Sequence, residues 1–294
     1  MNKDFTIISD PGIDDLVALV LLHKLAAKSK NCLISTFGNA TENITAQNTK
    51  EFISFVSPNW QFMHGSSKPF NNKFEHPWPD YFHGPDGVWG IHPKADISKI
   101  KSLTTYPKNE DVISLATLTD VYKLHKTNGV KNMTIMGGAF TVEGNETQYA
   151  ETNIAFDADS AHYFFNHYSN IKVKVVPLDV TRKVFWTLEQ VNNIPETDKI
   201  NLWIKKLLLT WFDKYDHNKE KDFNLHDPLA VYLTWFPNDA IWKTSGVEVV
   251  TTGEKRGQTI FKSGNPSCEV AVDLENPTAI ANSIFEKVFN SSAL

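Results

Sequence analysis

Short apolar runs and longer, partly apolar stretches alternate along this chain. Strand-like runs occur at residues 5–8, 32–37, 60–64, 112–115, 133–136 and 173–176. Several of the stretches between them, beginning with the apolar run 16–22, predict helices. Because strands and helices alternate, we predict an α/β fold with an open, mostly parallel central sheet and helices on both faces. The 294 residues contain no clear interdomain linker, so we expect one domain, residues 1–294.

Two regions depart from this alternation. Residues 66–107 are rich in Pro, Gly, Asn and aromatic residues and predict a long loop region, which in a compact domain is usually functional. After residue 200 the pattern predicts mainly helix as far as residue 236, and a closing helix follows over 277–289. Between them, β-like runs lie at 247–251, 259–262 and 268–272. The C-terminal part therefore adds helices and short strands to the α/β sheet.

Charge and composition narrow the class of ligand. The net charge is −5 and no basic cluster is present, which argues against nucleic acid as the main partner. The longest apolar run is too short to span a bilayer, and the first residues lack the apolar core of a signal peptide, so we expect no membrane partner. Cys32 and Cys268 lie in apolar, strand-like surroundings and predict buried thiols. A cytoplasmic location is the default expectation.

Three carboxylates cluster where the first predicted strand gives way to the first predicted helix. Asp10, Asp14 and Asp15 surround a Pro11-Gly12 turn, in which proline presets one backbone angle and glycine permits unusual ones. Ligands of open α/β sheets bind at this end of the strands. Helix capping would explain one or two of the aspartates. A hard divalent cation would explain all three, so we predict a cation site and keep capping as the alternative.

The segment 9–15, Ser-Asp-Pro-Gly-Ile-Asp-Asp, resembles the N-terminal signature of the inosine-uridine-preferring nucleoside hydrolases. Similar motifs follow in the family's order: Thr-Phe-Gly-Asn at 36–39, His-Gly-Pro-Asp-Gly at 83–87, Met-Gly-Gly at 136–138, Gly-Asn at 144–145, Glu-Thr-Asn at 151–153, Asp-Ala-Asp-Ser-Ala at 157–161 and His-Asp-Pro-Leu-Ala at 226–230. Any one of them alone is typical of a turn or a helix start. The ordered string, from residue 8 to about residue 230, is far more specific.

The resemblance implies hydrolysis of the N-glycosidic bond of ribonucleosides to free base and ribose, as in purine or pyrimidine salvage. It implies a Ca²⁺ cofactor held by Asp10, Asp15, Asp227 and the backbone carbonyl of Leu115. Asp10 would also take a proton from the attacking water, and His226 would be the proton donor to the departing base.

The residues assigned to the nucleoside substrate are Asp14, Asn39, His83, Asn145, Glu151, Asn153 and Tyr215. We expect Glu151 and Asn153 to lie in an extended segment and to project to the same side, toward the ribose hydroxyls. His83 either acts on the leaving base or holds its loop, and its sequence position does not decide between these roles. Residues 176–181 are interpreted as scaffold.

Two departures from the family pattern keep other functions open. Ile8 stands where the family usually has Asp, and residues 116–120 differ from its Gly-Pro-Leu-Thr-Asn motif. These departures motivate an alternative, a catalytically weak relative that binds nucleoside or ribose with calcium. Another metal hydrolase, such as a phosphatase, is a third hypothesis. The preferred base stays open, and the resemblance implies a homodimer or homotetramer.

Overall fold

The computed structural model describes residues 3–74, 76–126, 129–215, 222–264 and 266–290. Its strands in chain order are β1 (Phe5–Ser9), β2 (Cys32–Ser35), β3 (Gln61–His64), β4 (Asp111–Ser114), β5 (Asn132–Met136), β6 (Lys172–Val176), β7 (Phe185–Thr187), β8 (Asp222–Asn224), β9 (Ala240–Val249), β10 (Thr259–Lys262) and β11 (Cys268–Leu274).

One large sheet dominates the described part of the chain. Its strand order is β10-β9-β11-β6-β5-β4-β1-β2-β3. Neighbouring strands from β3 to β11 in this order run parallel, whereas β9 pairs antiparallel with both β11 and β10. Strands β7 and β8 form a separate antiparallel pair. The mostly parallel arrangement brings the carboxyl ends of β1, β2, β4 and β5 to one edge, where ligands of such sheets bind.

Helices connect the strands and cover both faces of the sheet. They are α1 (Ile13–Leu25), α2 (Glu42–Phe55), α3 (Asp80–His83), α4 (Thr119–Leu124), α5 (Thr152–Phe156), α6 (Ala158–His167), α7 (Leu178–Thr181), α8 (Leu188–Asn192), α9 (Lys199–Lys214), α10 (His226–Trp235) and α11 (Pro277–Phe289). Several begin at capping side chains. The carboxylate of Asp157 accepts a hydrogen bond from the backbone N–H of Ser160 at the start of α6 (3.1 Å), as expected for an N-cap.

Two clusters of buried apolar side chains form the core, one on each face of the sheet. Successive strand residues point to opposite faces, and Ile7 accordingly belongs to the cluster that includes α1, α9, α10 and α11. Ile8 belongs to the other cluster, which includes α4 and α6. Both side chains are fully buried. The two covered faces confirm the predicted α/β architecture.

Some predicted elements differ from those observed. Strand β9 begins at Ala240 rather than at residue 247. The segment predicted as mainly helix before residue 236 contains β8, which pairs with β7 through short, weakly patterned strands that periodicity does not reveal. Cys32 and Cys268 are buried free thiols, as predicted. Among the helices described, none is long and apolar enough to cross a membrane.

Candidate active site

A pocket lies at the carboxyl ends of the central strands. The loops that follow β1, β2, β4 and β5 contribute to it, together with the start of α10 and the short helix α3. Its lining residues are Asp14, Asn39, Pro79, Tyr81, Phe82, His83, Leu115, Met136, Asn145, Glu151, Thr152, Asn153, His226 and Asp227. The pocket therefore brings together most of the residues assigned from the sequence. Seven were assigned to the substrate or to the departing base: Asp14, Asn39, His83, Asn145, Glu151, Asn153 and His226. Two were expected as metal ligands: Leu115 and Asp227.

The turn between β1 and α1 is tightly packed. Helix α1 begins at Ile13, and Asp15 in its first turn accepts hydrogen bonds from the hydroxyl of Ser9 (2.6 Å) and the backbone N–H of Gly12 (3.1 Å). Gly12 does not use the unusual backbone angles that glycine permits, because its φ of −102° is open to any residue. It is needed for space, since a Cβ there would lie 2.4 Å from Nδ1 of His83.

Three buried carboxylates form a group that could hold a metal ion. One oxygen each from Asp14, Asp15 and Asp227 lie within 4.8 Å of one another, in the part of the chain that the structure describes. Burial raises the pKa of all three carboxyls, and the negative charge of Asp15 raises those of Asp14 and Asp227 further. The pKa of Asp14 rises to about 8. This mutual repulsion is what a bound cation would relieve.

Asp10 lies beside this group but is not a member of it. Its Oδ2 accepts a hydrogen bond from the backbone N–H of Asn39 (2.7 Å), and it lies so close to Gly38 that a Cβ there would be 1.8 Å away. Its other oxygen, Oδ1, is buried and has no hydrogen-bond partner among the described residues. A buried carboxylate oxygen without a donor is costly, and a cation would satisfy it. The donor set, all oxygen, therefore fits a hard divalent ion.

Asn39 links these carboxylates to the pocket. Its side-chain amide donates to the backbone carbonyl of Asp10 (3.2 Å) and to Oδ2 of Asp15 (2.9 Å). Because the NH₂ group is committed to these oxygens, the amide oxygen of Asn39 is the atom available to a ligand. An interpretation of Gly38-Asn39 as a turn alone is thus incomplete, because the Asn39 side chain also hydrogen-bonds Asp10 and Asp15.

Glu151 and Asn153 both reach the pocket, but not from an extended segment as expected. Glu151 is the N-cap of α5, and Asn153 lies inside that helix. The carboxylate of Glu151 accepts backbone hydrogen bonds from Asn153 (2.8 Å) and Gly138 (2.9 Å), while burial raises its pKa to about 7. The helix start brings the two side chains together because a cap and the first turn share one end of a helix. The amide of Asn153 donates to the carbonyl of Leu115 (3.0 Å).

Two histidines line the pocket. Nδ1 of His83 accepts a hydrogen bond from the backbone N–H of Ile13 (3.2 Å), and Nδ1 of His226 lies 2.7 Å from the hydroxyl of Thr181. Burial lowers the pKa of His83 to about 3, and burial together with the positive charge of Arg182 lowers the pKa of His226 to about 4. Both rings are therefore neutral at pH 7, and each carries one N–H.

The rim of the pocket is aromatic and polar. Phe82 lines the pocket, and Tyr215 lies behind it with ring centroids 5.1 Å apart, so Tyr215 supports the wall and is not itself part of the lining. Tyr81 is 62% exposed at the mouth. Asn145 also lies at the mouth, where its amide oxygen accepts the backbone N–H of Thr152 (3.0 Å).

The two departures from the family pattern have structural explanations. Ile8 packs among Ile34, Ala116 and Leu118 in an apolar cluster, so this chain has built hydrophobic core where the resembled family usually has a carboxylate. In the altered motif, Asp120 accepts a hydrogen bond from the backbone N–H of Ser66 (2.7 Å) and anchors a neighbouring loop. Leu115, whose carbonyl is the expected ligand just before this motif, still lines the pocket.

A family model described as inosine-uridine preferring nucleoside hydrolase matches residues 6–281. The chain belongs to this family. It is therefore a nucleoside N-ribohydrolase by class, and the phosphatase hypothesis is set aside. Probable uridine nucleosidase 1 of Oryza sativa subsp. japonica is 26% identical over 284 residues, covering 90% of this chain and 86% of that protein.

Solved nucleoside hydrolases share the fold of this chain. A plant nucleoside hydrolase superposes with a TM-score of 0.87 at 22% identity, covering 99% of this chain and 100% of the other. A purine-preferring ribonucleoside hydrolase from Gardnerella vaginalis superposes with a TM-score of 0.84 at 21% identity, covering 97% and 98%. At these identities the likeness establishes the architecture and leaves the preferred base open.

Sequence reasoning missed several residues of this nucleoside hydrolase site. Ser9 and Thr181 contact Asp15 and His226 through their hydroxyls. Ser9 could have been found, because it precedes Asp10 at the end of a predicted strand. Residues 176–181 were interpreted as scaffold, and that interpretation overlooked Thr181, since a single threonine carries no spacing signal.

Proposed function

We propose that this nucleoside hydrolase cleaves the N-glycosidic bond of ribonucleosides in a Ca²⁺-dependent reaction, releasing free base and ribose. The observation that carries the proposal is the buried acidic group of Asp14, Asp15 and Asp227 beside the unpartnered Oδ1 of Asp10. All these donors are oxygen atoms, and such a set favours Ca²⁺ over the metals that prefer nitrogen or sulfur ligands.

The expected ligands are Asp10, Asp15, Asp227 and the Leu115 carbonyl, and the position of Asp14 makes it a further candidate. When bound, the ion would lower the pKa of a water and hold the ribose hydroxyls. The ribose itself would be held by the amide oxygen of Asn39 and by Glu151 and Asn153, which line the same pocket as Asp14 and Asp227.

The chemical step needs a proton acceptor and a donor at the base. The oxygen of water bonds to C1′ of the ribose, the C1′–N bond breaks, and its electron pair leaves with the base. Asp10 would take the proton from water, which suits a carboxyl whose pKa burial and Asp15 raise. The neutral ring of His226 would donate a hydrogen bond from its N–H to the departing base nitrogen and would keep its proton. The proton that Asp10 takes from water passes to solvent, and the departing base takes one proton from solvent, so the step balances.

The nature of the pocket wall bears on the base. Phe82 and Tyr81 offer aromatic faces for stacking, and the two neutral histidines offer N–H donors. These groups suit a heteroaromatic base with acceptor atoms on its edge. Relatives named for uridine and for purine preference both exist, so the proposal names ribonucleosides as a class.

The remaining expectations belong to this proposal. If the protein is a ribonucleoside hydrolase, we also expect a role in nucleoside salvage, a cytoplasmic location and a homodimeric or homotetrameric state. The alternative, a calcium-dependent binding protein with weak catalysis, rested on Ile8 and on residues 116–120. In this chain Ile8 belongs to the apolar core, Asp120 anchors a neighbouring loop by a hydrogen bond, and Leu115 lines the pocket. The hypothesis of an enzyme therefore has the stronger support.

Base release from a panel of ribonucleosides tests the proposal. The panel contains inosine, guanosine, adenosine, uridine, cytidine and an activated aryl riboside, each with Ca²⁺ and after chelation. We expect chelator-sensitive release, and the ranking of the panel identifies the base. A folded, calcium-loaded protein that binds ribose but releases no base from any member would favour the binding-protein alternative instead.

A further inference from the structure

The short helix α7 connects the sheet to the catalytic pocket. It follows β6 closely, and three side chains in it or just after it, those of Asp179, Thr181 and Arg182, contact parts of the pocket or its loops. Asp179 accepts the backbone N–H groups of Phe140 (2.9 Å) and Thr141 (2.8 Å). Arg182 donates to the backbone carbonyls of the loop that carries Asn145. Between these anchors, Thr181 contacts His226. The helix therefore holds two sides of the pocket at once.

We propose that Thr181 is a positioning residue, whose hydroxyl holds Nδ1 of His226 at 2.7 Å and so directs the Nε2–H of the ring toward the base of the substrate. This inference rests on the proposed function for the identity of the ligand. Thr181 is fully buried, while His226 lines the pocket. Thr181 does not touch the substrate pocket, and so it would act through His226 alone.

Hydrogen accounting decides which partner donates. Thr181 has two donors. Its backbone N–H donates to the carbonyl of Pro177 (3.1 Å), and its hydroxyl is the other donor, which needs an acceptor of its own. Within the described residues, Nδ1 of His226, 2.7 Å away, is the one acceptor the hydroxyl hydrogen has. If Nδ1 instead carried the hydrogen, the buried hydroxyl would have no acceptor for its own hydrogen, which is unfavourable. The hydroxyl therefore donates, Nδ1 accepts, and the neutral ring carries its hydrogen on Nε2.

His83, the second histidine of the pocket, is also held at Nδ1, but by a backbone N–H rather than by a hydroxyl. The backbone N–H of Ile13 donates to Nδ1 of His83 (3.2 Å), and a backbone amide can act only as donor. His83 consequently carries its hydrogen on Nε2 as well. Two rings that line one pocket are thus both set as Nε2 donors, one by the main chain and one by a side chain.

The tautomer matters for a base that leaves poorly. With hydrogen on Nε2, His226 donates to the nitrogen that gains an electron pair. With hydrogen on Nδ1, it would present a lone pair to that nitrogen and repel it. An aryl riboside whose phenolate leaves readily needs no such donor, so the effect of the tautomer should depend on the leaving group.

Two variants of Thr181 separate positioning from packing. Thr181→Val keeps the shape and removes the hydroxyl, while Thr181→Ser keeps the hydroxyl. For Thr181→Val we expect kcat on a natural ribonucleoside to fall roughly 10- to 100-fold, because the hydrogen-bond donor to the departing base is no longer held in place, with the aryl riboside changed less than about threefold. Thr181→Ser should stay within about threefold of wild type on both substrates. Equal losses of Thr181→Val on the two substrates, or no loss on either, would overturn the proposal.

A measurement on the unmodified protein keeps the test independent of folding. In protein labelled with ¹⁵N-histidine, the ring-nitrogen shifts distinguish the two neutral tautomers, and His226 is assigned by its absence in His226→Gln. We expect the Nε2–H form at pH 8, and the Nδ1–H form would overturn the proposal. Failure of the wild type to cleave any riboside would instead refute the proposed function. The NMR spectrum would still report the tautomer of His226, so the two failures can be distinguished.

Discussion

Replacing Ile8 with aspartate restores the residue that the family signature usually has, and we expect it to damage this protein. Ile8 is fully buried, pairs in register with Ile34 of β2, and belongs to the apolar cluster that contains Ala116 and Leu118. Aspartate would remove most of the buried aliphatic side chain and bring a carboxyl into an apolar cluster. The variant therefore tests whether this position belongs to the core or to the acidic site.

The expected loss follows from two contributions. Truncating a buried isoleucine costs roughly 2–5 kcal/mol, and an unpartnered polar group in the core adds roughly 1–3 kcal/mol. The free energy of unfolding should thus fall by roughly 3–8 kcal/mol, which is comparable to the whole stability of a typical domain. The matched control Ile8→Val keeps the apolar character and should cost only about 0.5–1.5 kcal/mol.

Urea unfolding of wild type, Ile8→Val and Ile8→Asp, each with Ca²⁺ and without, measures these differences. A large loss for Ile8→Asp that persists with Ca²⁺ supports the core assignment. An Ile8→Asp protein as stable as wild type, with higher activity or tighter calcium binding, would refute the reasoning. It would mean that the introduced carboxylate joins the acidic group.

Three other changes test separate parts of the account. Asp10→Asn should lower kcat about 10²- to 10⁴-fold in a protein that still folds, because the proton acceptor is lost; steady-state assays on inosine and uridine at saturating Ca²⁺ check this, and retained activity would exclude Asp10 as the base. Asn48→Ala should cost roughly 1–3 kcal/mol and raise KM, because the Asn48 amide joins the carbonyls of Pro11 (3.0 Å) and Asp86 (2.9 Å); in urea unfolding the exposed Asn43→Ala on the same helix should change stability by less than about 0.5 kcal/mol. The rise in melting temperature that Ca²⁺ produces should grow from pH 5 to pH 8, since protons compete for carboxyls such as Asp14, whose folded pKa is about 8; a calcium effect independent of pH in this range would contradict the acidic site.

The pH prediction has a definite sign. Asp14 has a folded pKa above its unfolded one, so metal-free protein binds more protons at this group than the unfolded chain between about pH 4 and pH 8. Its contribution to stability is present below the unfolded pKa and is lost as the pH rises through about 8. Calcium removes this loss by replacing the protons. The histidines with lowered pKa values act in the opposite sense, because the folded protein binds fewer protons at them than the unfolded chain does.

The sequence predicted the sheet and the gathering of the site because both depend on simple regularities. Apolar runs of strand length predicted β1 to β6. Because these strands are parallel, the polar residues that follow them lie at one edge of the sheet. Asn39 and Leu115, far apart in the chain, line one pocket for this reason. Short elements without periodicity, such as β7 and β8, were beyond reach.

Local chemistry was harder to predict than position. The roles of Gly12 and Glu151 depended on what approaches them: the ring of His83 leaves no room for a side chain at residue 12, and residue 151 caps a helix whose first turn carries Asn153. The contact between Thr181 and His226 joins residues 45 positions apart. No spacing rule predicts such a contact, because it depends on the path of α7 beneath the pocket.

The most direct test of the central claim is calcium titration into metal-free enzyme, with bound calcium and the rate of base release recorded in the same samples. The buried acidic group predicts that the metal-free enzyme releases no base, and that activity rises in proportion to bound Ca²⁺ until one site per chain is filled. Full activity in protein that holds no calcium, or calcium bound at this site without any gain in base release, would contradict the account.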